Sequence, residues 1–106
     1  MGTLVQFRRE VHANPELSFR EIATTERLMN RLREAGMNPV ACEGTGCYVD
    51  IGSGPFAVAL RADIDALPIV EQTGLPYAST VPGVMHACGH DIHQTVMLGV
   101  ALAPVS

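Results

Sequence analysis

Lysine and tryptophan are both absent from this 106-residue chain. All seven basic residues are arginine, set against eleven acidic ones, for a net charge of −4 at pH 7. A net-acidic chain without a basic cluster lacks the electrostatic footprint of a nucleic-acid binder. No apolar run approaches the ~20 residues a membrane-spanning helix needs, so no membrane partner is expected. There are only three cysteines, Cys42, Cys47 and Cys88, too few for a disulfide scaffold. The first fifteen residues carry charges where a secretory signal would need an unbroken apolar core, so the expected location is the reducing cytoplasm. Aromatic residues make up 5% of the chain, yet hydrophobic residues reach 47%, enough to argue against disorder. The length allows one domain at most.

Leu4, Phe7 and Val11 recur at helical spacing, which predicts a short amphipathic helix over 3–13, stopped by Asn14-Pro15. A second helix is predicted over 19–35. Ser18 and Glu21 have capping-box spacing, Leu17 and Ile22 could staple that end, and Ile22, Met29 and Leu32, with Leu28 beside them, mark the apolar face. Gly36 supplies a left-handed end, and Pro39 prevents resumption. The second half reads differently. Cys47, Val49 and Ile51 alternate with Tyr48 and Asp50, as in a half-buried strand, and Gly52-Ser53-Gly54-Pro55 reads as a turn. Residues 56–60 form a continuous apolar run, expected as a strand buried on both faces. After a long connection rich in Pro and Gly, Val96, Met97, Val100 and Ala101 predict a last helix running to Pro104. The order suggests α/β with a thin core, and such long open connections suggest that part of the domain lies elsewhere.

Two segments carry chemistry. In Met85-His86-Ala87-Cys88-Gly89-His90-Asp91-Ile92-His93, three of the four histidines, one cysteine and one aspartate crowd together. Thiolate, imidazole and carboxylate are the donors that Zn²⁺ and its neighbours take. An extended backbone would turn Cys88 and His90 to one side, with Gly89 allowing an unusual dihedral between them. Asp91 could cap the following helix, accept a ligand's proton or bind metal. The competing reading is a buried thiol beside an Asp-capped helix with incidental histidines. In Leu60-Arg61-Ala62-Asp63-Ile64-Asp65, charges cluster where a buried strand should end, the edge at which α/β sites sit. Asp63 and Asp65 could orient a ligand or coordinate metal; a solvated Arg–Asp pair fits the spacing equally well. Cys42 and Cys47 lack C-x-x-C spacing and read as core cysteines. His12 reads as a helix-end residue rather than a ligand. No G-x-S-x-G elbow is present.

Taken in order, Arg9-Glu10-Val11-His12 with Asn14-Pro15-Glu16-Leu17-Ser18, Leu60–Pro68, Glu71-Gln72-Thr73-Gly74-Leu75-Pro76-Tyr77 and His86-Ala87-Cys88-Gly89-His90-Asp91 resemble a known family. The sequence is similar to the start of the N-acyl-amino-acid amidohydrolases, the hippurate hydrolase and auxin-conjugate hydrolase group of the aminoacylase/carboxypeptidase metallohydrolases. The resemblance implies a two-metal, zinc-peptidase-like α/β catalytic domain with a dimerising lid, of which residues 1–106 form a partial catalytic domain: an incomplete sheet flanked by helices. It implies two divalent ions (Zn, Mn, Ni or Co) and a small N-acyl amino acid as substrate. Cys88 matches the bridging thiolate, His90 a ligand to one metal, and Asp63 the catalytic-site aspartate. Arg61 stands where related carboxypeptidases place a metal-binding histidine. Asp65, His86, Asp91 and His93 are supporting candidates. Family members run to several hundred residues, and the glutamate pair that supplies their general base has no counterpart here. The expectation is therefore a catalytically incomplete piece that works with a missing C-terminal half or as a homo-oligomer. The alternatives are a non-catalytic metal-binding remnant, using Cys88, His90 and His86 or His93, and a module that pairs its sheet edges with another chain.

Overall fold

The computed structural model describes residues 2–51 and 59–102. Helix α1 spans Gly2–Ala13 and buries Phe7 and Val11, one turn apart on the same face. Asn14 ends it: its backbone N–H and its side-chain amide both donate to the Glu10 carbonyl, and Pro15 follows. Helix α2, Ile22–Glu34, turns Thr25, Met29 and Leu32 inward. Its end is a Schellman motif. Gly36, at φ 84°, donates to the Arg33 carbonyl, while Met37 donates to the Leu32 carbonyl and packs against the core beside Leu32.

The start of α2 departs from the sequence expectation. Ser18 and Phe19 form the corner of a turn closed by Arg20 N–H on the Leu17 carbonyl, and Phe19 sits there at φ 65°. Helix α2 therefore begins at Ile22. Glu21 occupies its cap position without a side-chain bond to the helix, so there is no capping box. The cap comes from Glu16 instead, whose carboxylate accepts from Thr24 N–H at 2.6 Å and Ala23 N–H at 3.2 Å. Ile22 is 69% exposed and staples nothing. Glu21, released from capping, is buried and accepts from the Thr45 hydroxyl.

A two-stranded antiparallel hairpin follows: β1, Val40–Ala41, and β2, Cys47–Tyr48, with Val40 opposite Tyr48 and Ala41 opposite Cys47. Gly46 N–H donates to the Thr25 hydroxyl and ties the hairpin to α2. The expected alternation over 47–51 survives in burial as far as Asp50, with Cys47 and Val49 half-buried and Tyr48 and Asp50 exposed. Hydrogen-bonded pairing stops at Tyr48, because β1 is two residues long and Pro39, which lacks an N–H, precedes it. Of the strand expected over 56–60, residues 56–58 lie outside the described residues. Ala59 and Leu60 are irregular and exposed rather than buried. Cys42 is exposed, not a core residue; Cys47 is half-buried, and burial pushes its thiol up.

Helix α3, His90–Leu102, buries Asp91, Gln94, Leu98 and Ala101 and leaves Val96 and Val100 exposed, so only part of its apolar periodicity faces the core. It crosses α1 closely: a Cβ on Gly99 would lie 3.3 Å from Leu4 Cδ1. The core is Phe7, Val11, Leu32, Leu98 and Ala101, with Leu4, Leu28, Met37, Cys47, Val49 and Leu102 against it. Of these, Phe7, Val11, Leu32 and Leu98 each contribute about 1.5–3 kcal/mol by leaving water. The architecture is α/β, helices around an incomplete sheet, and no described helix is long and apolar enough to cross a membrane.

The long connection is pinned in two places that matter for the site. Leu17 bridges Ala66 in parallel, and Leu67 bridges Met85 antiparallel through two hydrogen bonds. Residues 66–67 are thereby laid between the segment joining α1 to α2 and the segment leading into α3.

Candidate metal centre

His90 opens α3. Its Nδ1 lies 2.9 Å from the Asp65 carbonyl oxygen and 3.1 Å from Asp65 Oδ1. Both partners only accept, so Nδ1 carries a hydrogen, and in the neutral ring Nε2 is the nitrogen with the lone pair. That is the tautomer in which an imidazole ligates through Nε2. Cys88 is a free, exposed thiol two residues earlier. Gly89 between them has φ 81°, and its carbonyl accepts the first helical bonds from Ile92 and His93. The chain bends at Gly89, so Cys88 and His90 do not share one side of an extended backbone. His93 is exposed, with its ring 5.9 Å from that of His90.

The two aspartates separate. Asp65 belongs with His90. Asp63 faces outward, paired at 2.9 Å with Arg61, the two side chains being 49% and 88% exposed. Such an open pair contributes at most about 1 kcal/mol. The solvated Arg–Asp pair read as an alternative from the sequence is what forms here.

Behind this rim lies a buried polar layer. His86 is 4% exposed, and neither ring nitrogen finds a partner among the described residues. Burial pushes its imidazole down to about 4; the charges of Asp91 and Asp65 oppose this, and His12 and His90 reinforce it. It is therefore neutral at pH 7, the form that donates to metals. Asp91 is 1% exposed. Its Oδ2 meets His12 Nδ1 at 2.7 Å and Arg8 Nε at 2.9 Å, the latter an ion pair without hydrogen-bond alignment. On its other side, His12 Nε2 faces Glu71 Oε1 at 2.9 Å and Oε2 at 3.1 Å. Glu71 also accepts from the Thr73 hydroxyl and Ser79 N–H. Burial would raise its carboxyl, but those bonds, the one from His12 and the His12 charge outweigh it and bring it down to about 2. The Tyr77 ring closes the layer, with Arg8 and Arg9 over it and His12 edge-on.

His12 lies in the last turn of α1, as the sequence suggested, but it is buried there. It joins α1, the 71–79 connection and α3. Its spacing held the signal: Arg8 and His12, four apart, share a face of α1, adjacent to the Phe7–Val11 face that is buried. Nothing in the spacing of Glu71 alone pointed to it.

The donor chemistry fits part of a metal centre: a free thiol, an imidazole presenting Nε2, and a neutral buried imidazole with unused nitrogens. Among the described residues no three or more His, Cys, Asp or Glu side chains converge to hold an ion. An open, largely apolar cavity of about 860 Å³, lined by Leu28, Leu32, Val49, Ile64, Gln94 and Leu98 among others, lies apart from Cys88 and His90.

The sequence model of peptidase family M20/M25/M40 matches residues 59–104. An Arabidopsis thaliana protein named IAA-amino acid hydrolase ILR1-like 5 is 48% identical over 92% of this chain and 23% of its own length. The N-acetyl-L-cysteine deacetylase of Bacillus subtilis (strain 168) is 52% identical over 92% of this chain and 24% of its own length. The crystal structure of a Bacillus subtilis dinuclear metal binding peptidase from the M20 family superposes with a TM-score of 0.89 at 45% identity, covering 95% of this chain and 29% of that one. The chain spans about a quarter of the length of these relatives.

Proposed function

We propose that the chain, whose residues 59–104 match the model of peptidase family M20/M25/M40, supplies the Cys88–His90 side of a two-metal amidohydrolase centre that cleaves the amide bond of N-acyl amino acids. The carrying observation is the anchoring of His90 Nδ1 by Asp65, which leaves Nε2 free two residues along the chain from the unpaired thiol of Cys88. Divalent ions such as Zn, Mn, Ni or Co supply carbonyl polarisation and an activated nucleophile near neutral pH. Cys88 binds as the thiolate, and His90 binds through Nε2. Asp65 holds the His90 ring, and His86 stands behind as a neutral donor. Asp63 acts at the rim, where Arg61 neutralises it until substrate or metal takes it over. A thiolate ligand also needs a reducing compartment, in keeping with the cytoplasm.

The sequence contains no adjacent glutamate pair, and the described residues converge on no three-ligand site. We therefore expect the 106-residue chain alone to turn over hippurate and N-acetyl amino acids well below ~1 s⁻¹, the lower end of ordinary enzyme rates. The test is a chimera in which residues 1–106 replace the matching segment of the Bacillus subtilis deacetylase. The chimera should hydrolyse N-acetyl-L-cysteine, and Cys88→Ser within it should not. A folded chimera without turnover contradicts the reading.

A second reading, pairing with another chain, draws on Ile92, Val96 and Val100, three exposed apolar residues at helical spacing on α3. Sedimentation of the chain with Val96→Glu decides it: self-association lost in the variant supports pairing.

A further inference from the structure

The proposed reaction uses neither His12 nor Glu71, yet His12 is buried, the Glu71 side chain is 4% exposed, and His12 joins Glu71 to Asp91, the residue that follows His90. We propose that His12 is a positioning residue for the metal-ligating turn: its Nδ1–H holds the Asp91 carboxylate, and Asp91 fixes the first turn of α3 and with it the ring of His90. The inference rests on reading His90 as a metal ligand. Asp91 is the second residue of α3 and 1% exposed. Its Oδ2 is gripped from α1 at 2.7 Å by His12 and at 2.9 Å by Arg8. A helix whose first turn is fastened to a neighbour cannot rotate about its axis. Rotation by one residue, about 100° for 3.6 residues per turn, would carry His90 off the Asp65 carbonyl. His12 is itself enclosed, 3% exposed, paired with Glu71 at 2.9 Å and edge-on to Tyr77. Each ring nitrogen of His12 lies within hydrogen-bond distance of a different carboxylate, so the two ends of the ring can be tested separately.

Two substitutions separate the two ends of His12. In His12→Asn, the amide nitrogen stands near the place of Nδ1 and keeps the Asp91 bond. In His12→Gln, it stands near the place of Nε2 and keeps only the Glu71 bond. The readout is the long-range ¹H–¹⁵N spectrum of the histidine rings in the metal-free chain. The parent and His12→Asn should show His90 as a single Nδ1–H tautomer, and His12→Gln should show it as a tautomer mixture. A purely structural role would instead make the two variants alike at equal loss of melting temperature. Cobalt affinity should fall about 10–100-fold in His12→Gln and stay near the parent's in His12→Asn. If His12→Gln does not fold, Asp91→Ala breaks the same link from the other side and must give the same His90 signature. An unchanged His90 in His12→Gln or Asp91→Ala overturns the proposal, as does the same change in both His12 variants. The ring spectra need no metal, so a parent that binds no cobalt while the spectra behave as stated overturns the metal reading and leaves the positioning role supported.

Discussion

Removing the Glu16 side chain should uncap α2, and removing Ser18 should not. Glu16 Oε1 accepts from Thr24 N–H at 2.6 Å and Oε2 from Ala23 N–H at 3.2 Å, two donors of the first turn that no carbonyl of the helix can reach. Losing a capping acceptor costs about 1 kcal/mol. The carboxylate charge at the positive end of the helix dipole adds about 0.3–1 kcal/mol. Glu16→Ala should therefore lose about 1–2 kcal/mol, and Glu16→Gln, which keeps an acceptor but not the charge, about 0.5 kcal/mol. In a domain of this size each kcal/mol moves the melting temperature by about 4–8 °C, so Glu16→Ala should melt roughly 4–16 °C lower. The Glu16 carbonyl that receives Ala66 N–H is backbone and survives both changes. Ser18 is exposed in the preceding turn and serves as the control, with Ser18→Ala expected within about 0.5 kcal/mol of the parent. Thermal and urea unfolding followed at 222 nm measures all three. A Ser18→Ala loss equal to or larger than that of Glu16→Ala would restore the capping box and refute the cap described here.

Gly36→Ala should cost about 1–2 kcal/mol despite open space around the new Cβ, because φ 84° is a left-handed position; urea unfolding checks it. Glu71 gives an acid limb. Below its ordinary pKa of 4.5 the unfolded chain takes a proton there, while the folded carboxyl stays ionised to about 2. Its stabilisation is thus complete above pH 4.5 and is lost as pH falls toward 2, and Glu71→Gln should flatten that limb in melts at stepped pH. Asp63→Asn should leave stability within about 0.5 kcal/mol, since Asp63 is half exposed and paired only with open Arg61, yet abolish most turnover of the deacetylase chimera. Turnover near that of the unmutated chimera would reduce Asp63 to a strand-end residue.

Local rules were legible wherever a few adjacent residues settle the matter. The Leu4–Phe7–Val11 spacing, the Asn14-Pro15 stop and the Gly36 end each depend on contacts within one turn, and each stands as read. The start of α2 was misread because a capping box and a turn use the same residues. Phe19 at φ 65° diverts the chain, and the acceptor comes from Glu16, seven and eight residues before its partners. The 86–93 block was legible as a dense cluster of candidate donors. Its support was not, because the bonds run from residue 12 to residues 71 and 91, and from residue 65 to residue 90. Spacing along a chain carries no record of pairings that long. Val96 and Val100 show the converse: apolar periodicity marked a helix but not which of its apolar residues meet the core.

The proposed centre stands on metal ligation by Cys88 and His90. Titration of Co²⁺ into the reduced chain tests it most directly, read at the thiolate-to-cobalt charge-transfer band and repeated in Cys88→Ser and His90→Ala. A saturable band is expected in the parent, with its loss in Cys88→Ser and weaker saturation in His90→Ala. A band that persists unchanged in Cys88→Ser, carried by Cys42 or Cys47 instead, would contradict it.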